Sequence, residues 1–81
     1  MADLEVTYDA VANAAYLYLT TPGSHPRVTS MYPCDPVKVD GMINLDFDEA
    51  GRLIGIEVLD ARAKLPAYLL ESAERLDTEG P

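Results

Sequence analysis

The chain has a single cysteine, which excludes an internal disulfide and fits a reducing compartment. Basic residues are scarce: six against fourteen acidic ones, a formal net charge of −8. So few cations would displace few counterions from a phosphate backbone, and nucleic-acid binding is not expected. No apolar run approaches the ~20 residues of a membrane span. The opening Met-Ala-Asp-Leu-Glu lacks the basic-then-apolar pattern of a signal peptide. There is no internal repeat, low-complexity tract or linker. There is no phosphate-cradling loop either, because Gly51-Arg52-Leu53-Ile54-Gly55 lies inside a hairpin pattern rather than between a strand and a helix. These absences predict a cytoplasmic protein that engages neither membrane nor nucleic acid.

What is present suits one small domain over residues 1–81, with 77–81 as a frayed tail. Hydrophobic residues make up 48% and charged ones 25%, an ordinary globular balance. A chain this short buries only ~60–65% of its unfolded surface, so its core is marginal.

Strand patterns dominate. Leu4, Val6 and Tyr8 alternate with Glu5 and Thr7. Asp9 opens a turn, and Asn13 tolerates a left-handed backbone. In residues 14–19, Ala15, Leu17 and Leu19 point one way and Ala14, Tyr16 and Tyr18 the other. Residues 20–26 hold two prolines and a glycine and form a loop. Residues 27–32 make a third strand, Pro33 and Pro36 mark an edge, bulge or loop, and residues 37–39 resume pairing.

Residues 42–47 and 52–59 are the clearest strands, and their register can be argued. A three-residue loop pairs Asp48 with Arg52 and puts Ile43, Leu45 and Phe47 on one face with Leu53, Gly55 and Glu57. A four-residue loop pairs Phe47 with Arg52 and groups Ile43, Leu45 and Phe47 with Ile54, Ile56 and Val58. The second option segregates apolar from polar and is preferred. Gly55 then reads as a strand glycine leaving room for an aromatic ring or a close backbone. Asp60 is placed as an N-cap, and Pro66 opens a helix to about Arg75 with Leu69, Leu70, Ala73 and Leu76 as its stripe. The expected fold is α+β, a four- to five-stranded antiparallel β-meander with a C-terminal α-helix packed on one face.

Tyr8-Asp9, the run Asn13-Ala14-Ala15-Tyr16-Leu17-Tyr18-Leu19, and residues 43–61 together resemble the YuzE-like family of small bacterial domains of unknown function. Leu65-Pro66 followed by Leu69-Leu70 is similar to that family's tail. The resemblance implies a small antiparallel sheet with a C-terminal helix, and weakly an antitoxin-like role, but no activity and no catalytic residue. Asn13 stands where the family usually has Asp. Residues 22–41 are longer and richer in proline than the family pattern, and His25 and Cys34 fall inside them.

Asp46, Asp48, Gly51 and Glu57 match positions of a calcium-loop spacing, but Ala50 replaces a ligand and the flanks are strands, so a hairpin with an acidic turn accounts for them and no metal is expected. His25 and Cys34, with Asp35 or Asp40 as orienter, are the only material for a nucleophile pair; nothing in a proline-rich stretch fixes their geometry, so they read as exposed or incidentally packed. No catalytic residue and no cofactor is expected. The feature that stands out is the second sheet face, where Tyr16, Tyr18, Asn44, Asp46 and Glu57 converge. Tyrosine offers contact area, low entropy loss and a polar tip. The expectation is a non-enzymatic interaction or regulatory module, a homodimer that meets a basic protein partner. The alternative is a small ligand-binding domain or enzyme using the same face.

Overall fold

The computed structural model describes residues 4–77. Along the chain run β1 (Glu5–Asp9), β2 (Ala14–Tyr18), β3 (Ser30–Pro33), α1 (Pro36–Val39), β4 (Ile43–Phe47), β5 (Leu53–Leu59), α2 (Ala61–Lys64), α3 (Ala67–Ser72) and β6 (Glu74–Arg75). The fold is α+β. One six-stranded sheet has the order β3-β4-β5-β2-β1-β6, antiparallel throughout except that β6 runs parallel to β1. Strands β3, β4 and β5 form a meander, and the β1–β2 hairpin joins them through β2 against β5.

The sixth strand arises because the last helix is shorter than its apolar stripe suggests. It stops at Ser72, whose hydroxyl donates to the carbonyls of Tyr68 and Leu69, a back-bond that competes with continued helix. Ala73 is extended (φ −71°, ψ 153°). The chain then returns to β1, pairing Thr7 with Glu74 and Tyr8 with Arg75, and so covers an otherwise open edge. Asp77, expected in the frayed tail, accepts a hydrogen bond from Ala10 N–H at 3.1 Å; residues 78–81 lie outside the described residues.

Both hairpin turns obey local chemistry. Asp9 Oδ1 accepts from the N–H groups of Val11 and Ala12, and Asn13 sits at φ 55°, as its tolerance of that region predicts. The β4–β5 connection begins in the register of the three-residue loop and then leaves both registers considered above, so the expected pairing of Phe47 with Arg52 does not form. Asp48 N–H donates to the Arg52 carbonyl, closing the shorter loop with Gly51 at φ 82°. A bulge then leaves Ile54 as an extra residue between the pairs Phe47–Leu53 and Asp46–Gly55. The shift restores the expected segregation: Ile43 and Leu45 face Val58 and Ile56, while Asn44 and Asp46 face Glu57 and Gly55.

The middle segment departs from the strand expected at 37–39. Asp35 Oδ1 accepts from Val37 and Lys38 N–H, Pro36 occupies the first turn, and a short helix results. Pro33 ends the edge strand β3, where its missing N–H is harmless. Asp60 precedes α2 but is left-handed (φ 54°) and makes no cap bond; its carboxylate is taken by Asn13 instead.

The core gathers Tyr8, Ala15 and Ala61, with Ala10, Leu65, Leu70 and Ala73 against them. α3 lies against β1 and α2 against β5.

Candidate interaction face

Directly opposed residues in a sheet share a face. On the side away from the helices, one row runs Thr7, Tyr16, Glu57, Asn44 and the next runs Glu5, Tyr18, Gly55, Asp46. All five residues singled out from the sequence therefore stand together. The Tyr16 ring leans across Gly55, where an added Cβ would overlap the phenol ring and hydroxyl. This is the space the strand glycine was expected to leave. The Tyr16 hydroxyl donates to Asp46 Oδ2 at 2.6 Å, the short length of a bond to an ionised acceptor. Burial first, and then the Asp46 carboxylate, push the Tyr16 phenol well above the usual tyrosine value. Tyr16 is thus held as a neutral donor. Beside it Asn44 Nδ2 donates to Glu57 Oε1 at 2.9 Å.

A third element joins that the sequence left unassigned. The loop after β2 folds back over the sheet and stacks His25 on Tyr18, ring centroids 4.1 Å apart and planes 18° from parallel. Tyr18 meets Tyr16 edge-on at 4.6 Å. Glu5, on the same row as Tyr18, holds the loop: Oε2 is 3.3 Å from His25 Nε2 and Oε1 accepts from Gly23 N–H at 3.2 Å. The Thr20 hydroxyl donates to the Ser24 carbonyl at 2.6 Å. Glu5 is the residue missed, and His25 is weighed above only beside Cys34 and not with this face; the only signal was that Glu5 alternates onto the tyrosine side, which becomes informative once the β1–β2 register is known. Tyr16, Tyr18, His25, Val28, Asp46 and Ile54 line an open cleft of about 300 Å³.

His25 and Cys34 are not brought together. His25 lies over β2, whereas Cys34 N–H bonds the Ile43 carbonyl beyond β4 and β5. Asp35 caps α1, and Asp40 is the left-handed residue that ends it. Asp48 Oδ1 accepts from Ala50 and Arg52 N–H, so the acidic turn spends that carboxylate on its own backbone. Among the described residues no group of three or more His, Cys, Asp or Glu is placed to hold a metal ion.

A second polar cluster on the helix side is built differently. Arg62 Nη1 donates to the Tyr8 hydroxyl at 2.9 Å and to the Ala10 carbonyl at 3.3 Å. Asn13 uses both ends of its amide: Oδ1 accepts from Arg62 N–H at 3.0 Å and from the Tyr8 hydroxyl at 3.3 Å, while Nδ2 donates to Asp60 at 3.0 Å. An aspartate could not make that last bond, which explains Asn13 in this chain. The Arg75 guanidinium lies 5.6 Å from the Tyr8 ring centroid and pairs with Asp77 at 2.7 Å. Arg75 and the Ala10 N–H together hold the Asp77 carboxyl well below the usual carboxylate range. This cluster ties the β1–β2 turn to the start of α2 and to β6.

A family model described as a protein of unknown function, DUF2283, matches residues 5–62, from the first strand through Arg62. No curated protein and no solved structure matches the chain.

Proposed function

The chain belongs to the DUF2283 family, a membership that names no activity, and from that premise we propose that it is a non-catalytic protein-interaction module. It is a relative of the YuzE-like bacterial domains, acts in the cytoplasm as a homodimer, and offers the face of Tyr16, Tyr18, Asn44, Asp46 and Glu57 to a basic protein. It neutralises or regulates that protein in the manner of an antitoxin. The observation that carries this reading is the pair of half-buried tyrosines fixed among the carboxylates of Glu5, Asp46 and Glu57. Rings held by neighbours lose little entropy on contact, and they attract guanidinium or ammonium groups. The surrounding negative charge speeds encounter with a basic partner and loses that advantage in salt. Tyr16, kept protonated, is a poor base or nucleophile at neutral pH.

Co-purification with the wild-type chain and with the Tyr18→Ala and Asp46→Asn variants tests this. A basic protein retained by wild type, released by salt and lost from both variants is the expected result. Recovery of the same proteins by all three removes the reading. The open cleft favours a second reading, a site for a small amine. A thermal shift with alkylamines in wild type, absent in Tyr18→Ala, would favour that one.

A further inference from the structure

The helix side of the sheet is covered over only part of its width. α3 and α2 cover β1 and β5, and Tyr8, Ala15 and Val58 are buried there. The same rows continue across β4 to β3, opposing Ile43 to Val58 and running from Leu17 through Ile56 and Leu45 to Tyr32. At that end every β4 residue is only half-buried, every β3 residue is exposed, and Tyr32 is 61% exposed. No Asp, Glu, Lys or Arg occurs in these rows.

We infer that a second copy of this chain covers the patch, the two β3–β4–β5 halves stacking face to face about a twofold axis. This rests on the reading above that the chain is a homodimer, and it names the surface. An apolar sheet face needs a second layer, and here α3 and α2 supply that layer over β1 and β5. Stacked sheets sit ~10 Å apart, the space Leu45, Phe47 and Ile56 from two copies would fill. Charge selects the occupant. At −8, two copies repel, and this patch lets them touch without burying a carboxylate. A basic partner gains nothing here and is drawn to the opposite face. A twofold contact of this kind closes on itself and stops at two copies.

The test is sedimentation velocity over a concentration series for wild type, Tyr32→Glu, Leu45→Glu and Tyr18→Ala, with circular dichroism as the check on folding. Wild type is expected to dimerise, more tightly as salt rises and screens the repulsion. Tyr32→Glu, on an exposed edge strand, is expected to keep the wild-type spectrum and weaken the dimer at least tenfold, and Tyr18→Ala to leave it unchanged. If Leu45→Glu fails to fold, Tyr32→Glu alone decides. A dimer indifferent to Tyr32→Glu overturns the assignment of the surface and leaves self-association standing. A wild-type monomer at every concentration overturns both.

Discussion

Tyr8 and Tyr16 lie on adjacent strands, one register step apart, yet they serve opposite ends. Tyr8 is 5% exposed, roofed by α3, and surrounded by cations: Arg62 bonds its hydroxyl and Arg75 lies over its ring. Tyr16 is half-buried, leans over a glycine and gives its hydroxyl to a carboxylate, with Glu57 across the strand. The difference comes from the pleat, which sends Tyr8 to the helix side and Tyr16 to the other. One ring cements the core; the other paves a surface. Two of the chain's six basic residues surround Tyr8, whereas the strand rows of the tyrosine face carry Glu5, Asp46 and Glu57 and no Lys or Arg.

Truncating each ring breaks the comparison most sharply. Tyr8→Ala removes a buried aromatic and should destabilise the fold by ~3–5 kcal/mol, whereas Tyr16→Ala, on the half-open face, should cost no more than ~1 kcal/mol. Urea denaturation of the two variants measures this. Equal losses would show that the tyrosine face is a second core.

A smaller effect probes the cation-rich side alone. Asn13→Asp forfeits the bond to Asp60 and sets two carboxylates face to face, for a loss of ~1 kcal/mol at pH 7. Repulsion raises the folded-state value of that pair, so the deficit should shrink as pH falls through the carboxylate range. Urea midpoints at pH 7 and pH 4 check the sign.

The smallest effect is spectroscopic. The phenol of Tyr16 is raised above its unfolded value of ~10. The unfolded chain therefore ionises first, and the contribution of Tyr16, complete below pH ~10, is lost as pH rises beyond it. In an ultraviolet titration one tyrosine should ionise later than the rest, and Tyr16→Phe should abolish that late step. A titration unchanged by Tyr16→Phe would break the link to Asp46.

Period-two alternation made the two faces legible, and with them the grouping of Tyr16, Tyr18, Asn44, Asp46 and Glu57 and the space above Gly55. Turn chemistry placed Asp9, Asn13 and the acidic β4–β5 loop. What stayed hidden depends on distant pairing. The bulge at Ile54 slides the pairing until Asp46 meets Gly55, a register that neither simple loop length predicts. The grip of Glu5 on His25 and of Asn13 on Arg62 joins residues 20 and 49 positions apart, and no local window contains both partners. Residues 37–39 look like a strand by composition, and only the Asp35 cap with Pro36 turns them into a helix. The helix stripe through Leu76 misled because Ser72 and the open edge of β1 outweigh it.

The parallel clasp of β6 on β1 also orders events in time. During synthesis β1 emerges early, but its outer neighbour, Glu74–Arg75, and the Asp77 carboxylate that bonds Ala10 emerge 67 residues later. Closing so long a loop is slow, and until it closes the nascent hairpin offers unpaired backbone to any other extended chain. Ribosome-bound chains truncated before residue 74 should therefore be the most aggregation-prone species this protein passes through.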